Sequence, residues 1–354
     1  MVDLIKLLPK ILESNASDLH ITAGMPPIMR VNGKLTHIGE YPKLMPTDTK
    51  EIIYSILTQD QREKLERDWE LDFSYGISGK GRFRVNVYYQ RNALGAAFRA
   101  IPVEIKTLEE LGLPPSLADL AAKPRGFVIV TGPTGSGKTT TLATLIDMIN
   151  ETRAEHIMTV EDPIEFLHKH KKCMINQREV GSDTKSFTNA LKYVLRQDPD
   201  IILIGEMRDL ETIQAALTAA ETGHLVFATL HTQDAPQTID RIIDVFPPYQ
   251  QQQVRIQLAG TLQGIVAQQL LPKKDGNGRV VGIEILIPTS GIRNMIREAK
   301  THQIYSAMQT GQRYGMRTMD QCIAELYKKG LISLDTALAR AVFPEDLNKS
   351  MGKG

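Results

Sequence analysis

The rhythm of apolar and polar positions changes near residue 126. Upstream, apolar runs are short and their period is mixed. The stretch RFRVNVYYQ alternates, with Phe83, Val85 and Val87 on one side and Arg82, Arg84 and Asn86 on the other. That is the period of a half-buried antiparallel strand, and LGAAFRAIP, which carries Arg99, pairs naturally with it. LHIT and PIMRVNGKL predict strands around a turn at Asn32-Gly33, a dipeptide that favours hairpins. EIIYSIL and the charged stretch after it predict helices. These elements make a small α+β domain over residues 1–100.

Downstream the apolar runs become continuous. FVIVTG, HIMTVED, IILIGE and HLVFATLH each precede a helical stretch. Strands without alternation are buried on both faces, which predicts an α/β domain with a mostly parallel sheet and helices on both faces. The last hundred or so residues predict mostly helix, with VVGIEILI as one strand. Between the two textures lies a proline-containing linker, residues 101–115. It holds a short helix opened by a Thr107-x-x-Glu110 capping box, and another helix starts over Ser116–Ala122. The domain reading is therefore 1–100, a linker 101–115, and an α/β domain with a helical C-terminal part, 116–354.

Composition narrows the function. With 42 basic and 41 acidic residues the net charge is +1, which offers no bulk attraction to nucleic acid or membrane. No apolar run reaches the roughly 18 residues that span a bilayer. The N-terminal MVDLIKLLPKILES carries Asp3 where a basic segment would begin a signal peptide, Pro9 and Lys10 interrupt it, and no small-residue cleavage site follows. It predicts an amphipathic helix. Two distant cysteines, Cys173 and Cys322, without metal-ligand neighbours, fit free thiols in a reducing, cytoplasmic setting.

The strongest chemical signal runs from Gly132 through Pro133, Thr134, Gly135, Ser136, Gly137, Lys138 and Thr139 to Thr140. It matches G-x-x-x-x-G-K-[ST] between a strand and a helix, the context the motif demands. Its glycines let backbone N–H groups turn toward phosphates at a helix N-terminus. Lys138 neutralises β- and γ-oxygens of ATP, and Thr139 offers a hydroxyl to Mg2+.

Ligands of such sheets lie at the carboxyl ends of the strands. Three ends matter: Glu161 and Asp162, then Glu206 after IILIG, then His231. Glu206 is assigned to the attacking water and Glu161 to the water shell of the metal, with Asp162 supporting; the exchanged roles for Glu206 and Glu161 are the alternative. A carboxylate after a strand is also a common helix N-cap. That reading stays open for Asp162, whereas Asp209 can cap the helix after Glu206. His231 is the candidate γ-phosphate sensor. His224, seven residues earlier and so up to about 23 Å away along a strand, is structural or a subunit contact.

These motifs in this order resemble the secretion ATPase family that drives type IV pili and type II secretion. VTGPTGSGKTTTL is similar to its phosphate-loop segment, TVEDPIEF to its Asp box, LRQDPDIILIGEMRDLET to its Walker B segment and TGHLVFATLHT to its His box. FPPYQQQQVRIQLAGTLQGIVAQQL resembles the helix that follows. The resemblance implies a RecA-like fold and a homohexamer whose PAS-like N-terminal domain sits on the neighbour's ATPase domain. It places Arg84 and Arg99 at a neighbour's nucleotide; from the residues alone they can equally be solvated or ion-paired. Assembly ATPases of the family carry a four-cysteine zinc element, and QQLLPKKDGNGRVVGIEIL has no cysteine. Gly291-Ile-Arg-Asn-Met-Ile-Arg-Glu298 is similar to a segment of the retraction branch, where the first residue is Ala. Without the resemblance it reads as an amphipathic helix, with Ile292, Met295 and Ile296 on one face and Arg293 and Arg297 on another. The implied function is ATP hydrolysis that retracts type IV pili, against a pilus platform protein at the cytoplasmic face of the inner membrane. An assembly or secretion ATPase, a nucleic-acid motor and a non-hydrolysing switch are the other readings.

Overall fold

The computed structural model describes residues 3–14, 16–31, 33–39, 41–77, 80–101, 104–345 and 347. Met1 and Val2 of the expected first helix, Asn32 of the expected hairpin turn, and Pro102 of the expected linker lie outside them. The chain divides into two compact units, Met1–Glu104 with Glu165–Leu167, and Ile105–Ile164 with His168–Gly354.

The first unit runs α1 (Leu4–Glu13), β1 (Asp18–Ile21), β2 (Ile28–Val31), β3 (Lys34–His37), α2 (Pro46–Tyr54), α3 (Gln59–Asp68), β4 (Glu70–Ile77), β5 (Gly81–Gln90) and β6 (Ala93–Ile101). Its strands pair antiparallel in the order β3-β2-β1-β6-β5-β4. Alternation decides the faces. Phe83, Val85 and Val87 are fully buried with Phe98, and they pack with Leu7, Leu8 and Ile11 of α1. The outward residues line up across strands: Arg30 faces Asp18, Asp18 faces Arg99, and Arg99 faces Arg84.

The second unit continues with α4 (Ala118–Ala121), β7 (Gly126–Thr131), α5 (Lys138–Thr152), β8 (His156–Glu161), β9 (Met174–Glu179), α6 (Phe187–Val194), β10 (Ile201–Ile204), α7 (Leu210–Glu221), β11 (Leu225–Leu230), α8 (Ala235–Asp244), α9 (Pro248–Thr261), β12 (Leu262–Pro272), β13 (Arg279–Leu286), α10 (Ser290–Arg297), α11 (Ile304–Gln309), α12 (Met319–Lys328) and α13 (Leu334–Arg340). The sheet order is β13-β12-β7-β11-β10-β8-β9, parallel throughout except for β12 with β13. Helices α6 to α11 bury one face, and α4, α5 and α12 bury the other. The fold class is that expected, a mostly parallel sheet covered on both sides.

Three local expectations are corrected. TLQGIVAQQL does not continue the preceding helix. The helix stops at Thr261, and β12 pairs with β7 on one side and β13 on the other. Gly260, Thr261 and Gly264 weaken helix, while Leu262, Ile265 and Val266 are buried as sheet residues. MINQRE forms an edge strand, β9, missed because its polar residues hide the period. The capping box at Thr107 and Glu110 does form, with Thr107 N–H to Glu110 Oε2 at 2.7 Å and Glu110 N–H to Thr107 Oγ1 at 3.2 Å, yet it closes only a turn. Leu113 N–H bonds back to Leu108 O at 2.8 Å and ends the turn before Pro114.

Candidate nucleotide site

Strand β7 delivers the chain into the loop Gly132–Gly137, and α5 begins at Lys138. Gly132 is irreplaceable sterically. Its φ is +142°, and a Cβ there would lie 2.2 Å from Gln268 O and 2.7 Å from Ser136 Oγ. Gly137 precedes α5 with no side-chain cap, so the first N–H groups of α5 are left for an anion. Ser136 Oγ is buried with no hydrogen-bond partner among the described residues. A loop of positive-φ glycines, uncapped donors and an orphaned hydroxyl fits a phosphate chain. Pro133, Thr134 and Gly135 form its exposed outer edge; Thr139 and Thr140 are half-buried on the first turn of α5.

Lys138 is buried, and its ammonium donates to Gly132 O at 2.8 Å and Pro133 O at 3.1 Å. Its Nζ also lies 3.5 Å from His231 Nδ1. The other ring nitrogen, His231 Nε2, is 3.1 Å from Glu206 Oε1. The imidazole thus stands between the phosphate-loop lysine and the carboxylate at the end of β10. Glu206 Oε2 accepts from Arg208 at 2.7 Å. The hydrogen bond from Arg208, against some burial and with help from His231, holds the Glu206 carboxyl below its ordinary value. A carboxylate of lowered proton affinity is better suited to orienting water than to taking its proton.

Glu161 ends β8 beside it, buried, with Oε1 accepting from Thr159 Oγ1 at 2.6 Å and Gln177 Nε2 at 3.1 Å. Gly205 lets the two strand ends approach: a Cβ there would sit 3.2 Å from Glu161 Cα. Asp162 is exposed and no helix follows it, so the N-cap reading for it fails; it lies within electrostatic reach of Arg208. Asp209 caps α7 through Thr212 N–H at 2.8 Å. His224 sits at the opposite end of β11, its Nδ1 3.0 Å from Ala219 O.

Arg84 and Arg99 belong to the first unit, directly opposite each other on the exposed face of β5 and β6. Arg99 Nε bonds Asp18 Oδ1 at 3.0 Å, and Asp18 also reaches Arg30 at 3.8 Å. Among the described residues Arg84 has no ion-pair partner. On α10 the two arginines differ. Arg293 donates to Ala259 O, to Gly260 O at 3.2 Å and to Leu262 O at 2.8 Å, so it closes the C-terminus of α9. Arg297 is exposed; its guanidinium donates to Asn294 Oδ1 at 3.4 Å, and its carbonyl accepts from Gln252 at 3.4 Å.

Residues 2–330 match the family described as Type II/IV secretion system protein. The chain belongs to this family. Among secretion-system relatives, the type IV pilus retraction ATPase PilT of Pseudomonas aeruginosa is 51% identical over 345 residues, covering 98% of this chain and all of that protein. The twitching motility protein of Neisseria gonorrhoeae is 49% identical over 322 residues, covering 91% of this chain and 86% of its own length. The crystal structure of the pilus retraction motor PilT with bound ADP matches with a TM-score of 0.92 at 51% identity, over 99% of this chain and 100% of that one. Sequence reasoning for this secretion-system protein missed two ties: Arg208 to Glu206, and Arg293 to the α9 carbonyls. The first had a signal, an arginine two residues from the carboxylate. The second had none, because its acceptors are backbone atoms more than thirty positions away.

Proposed function

We propose that this chain is an ATP-hydrolysing, homohexameric motor that retracts type IV pili and so supports twitching motility. The observation that carries the reading is the bridge from Lys138 through His231 to Glu206 at the mouth of the phosphate loop. It occurs in a chain alike from end to end to a protein named as a pilus retraction ATPase. No described helix is long and apolar enough to cross a membrane. We infer action in the cytoplasm, peripheral to the inner membrane, on the pilus platform protein.

In this reading Gly132–Thr140 hold the phosphates. Glu206 orients the attacking water, with His231 reporting on the γ-phosphate through its contacts to Lys138 and Glu206. Thr139, Glu161 and Asp162 hold Mg2+, partly through water. The ion, when bound, neutralises charge growing on the β- and γ-oxygens. Glu161 is a suitable outer partner because neighbours already fix its carboxylate. Arg84 and Arg99 are proposed to complete a neighbouring subunit's site. Such an arginine contributes roughly 10³ to 10⁵ in rate. Complementation of a retraction-deficient strain tests the assignment. The gene should restore twitching, and the Lys138→Ala version should not; restoration of pilus assembly without retraction would sink it.

A further inference from the structure

Glu284, on β13, has no exposed surface. A carboxylate so placed is costly unless its oxygens are satisfied. Among the described residues its hydrogen bonds come from two backbone N–H groups: Ala235 to Oε1 at 2.8 Å and Met319 to Oε2 at 3.3 Å. Ala235 is the first residue of α8 and Met319 the first of α12. One carboxylate therefore ties together the N-termini of two helices far apart in sequence, where helix dipoles favour negative charge.

Each helix leads somewhere specific. The loop 231–234 before α8 carries His231. Its near end is pinned to the residue preceding Gly132: Thr131 Oγ1 donates to Thr232 O at 2.8 Å, and Thr232 Oγ1 meets Thr238 Oγ1 at 2.6 Å. Its far end is pinned by Glu284. On the other side, Asp320 of α12 accepts from the N–H groups of Val342 and Phe343 at 2.7 and 2.8 Å. Pro133, Asp234, Glu284, Met319 and Val342 all border one cavity of about 520 Å3, so these pieces face one another.

We propose that Glu284 is a positioning residue. It sets His231 against Lys138 and Glu206, and it makes that placement depend on the seating of α12 and the C-terminal segment. The proposal rests on the reading of His231 and Glu206 given above. Two substitutions in the full-length chain cut the tie from opposite sides. Glu284→Gln keeps the shape but not the pair of acceptors. Ala235→Pro removes the donor, at a first-turn position whose backbone accepts proline, and its ring carbon also pushes the Glu284 oxygen away. Either should lower kcat about tenfold or more, because a displacement of about 1 Å in a catalytic group can cost about 10²-fold in rate. KM for ATP and the affinity for a fluorescent ADP analogue should stay within about twofold. In a His231→Ala background, which is itself slow, neither should slow the enzyme further. Equal fold-losses with and without His231 would overturn the proposal, as would a parallel fall in nucleotide affinity and kcat or unchanged kcat in both variants. A His231→Ala enzyme with full kcat would instead remove the site reading on which it stands.

Discussion

Replacing Arg293 with alanine separates a structural arginine from an exposed one. The last carbonyls of a helix lack partners within it, and α9 ends where β12 must begin. Arg293 supplies donors to two of those carbonyls, Ala259 and Gly260, and to the carbonyl of Leu262, the first residue of β12. Burial, with Arg297 adding repulsion, lowers the proton affinity of its guanidinium, so part of the gain is offset. Hydrogen bonds to charged groups are worth about 1.5–3 kcal/mol each when partners are lost. Water reaches this half-buried site, so the net loss should be about 2–3 kcal/mol. For a unit of this size that lowers the melting temperature by about 5–10 °C. Strand β12 borders β7, which enters the phosphate loop, so hydrolysis should fall as well. Arg297→Ala should cost under about 0.5 kcal/mol, hydrolyse ATP normally and fail to retract pili. Thermal unfolding, phosphate release and twitching assays read the two. An Arg293→Ala protein melting within a degree or two of the parent would refute the clamp.

Lys138→Ala should abolish phosphate release and weaken nucleotide binding, measured on purified protein. Glu206→Gln should bind ATP yet lose turnover, while Glu161→Gln should need more Mg2+ for its residual rate; a Mg2+ dependence appearing at Glu206 instead reverses the two roles. Burial pushes the Glu284 carboxyl from its ordinary 4.5 up to about 7. The folded chain then binds the extra proton between those values, so stability from this group falls as pH rises from about 4.5 to 7, by about 3 kcal/mol. Melting curves of Glu284→Gln should lack that component; identical pH slopes in parent and variant would exclude it. Mixing Arg84→Ala with Lys138→Ala subunits, each inactive alone, should regain some hydrolysis, because an intact Lys138 site can meet an intact Arg84. No recovery despite demonstrated subunit exchange would mean Arg84 does not act across subunits.

Much of the second unit was legible because its signals are local. Continuous apolar runs report burial on both faces, and the phosphate loop carries its own strand and helix. The strand ends at Glu161, Glu206 and His231 follow from parallel topology alone. What was not legible depends on partners distant in sequence. β12 looks helical until β7 and β13 claim it, and β9 is an edge whose polar residues need no hidden face. Arg293 reads as a surface group because its acceptors are backbone carbonyls, and Glu284 reads as one polar residue inside VVGIEILI. Its function as a tie exists only once two helix starts converge on it.

The row Arg30, Asp18, Arg99, Arg84 also has a consequence for ionic strength. Directly opposed residues in antiparallel strands hold their Cβ atoms about 4.5–5.5 Å apart, and like charges there repel. One aspartate lies among three arginines, and its bonds go to Arg99 and Arg30. Arg84 is left beside a guanidinium that is already engaged. Any polyanion meeting this row relieves the repulsion as well as gaining attraction, so the face is self-destabilised until it is covered. Screening acts over roughly 8 Å at physiological salt, wider than the gap between the two side chains' attachment points but short compared with a subunit. Added salt therefore weakens the long-range capture of an anion more than the local repulsion. In the role proposed for Arg84 and Arg99, the speed with which this face engages a nucleotide, rather than the strength with which it holds one, is where salt concentration should register first.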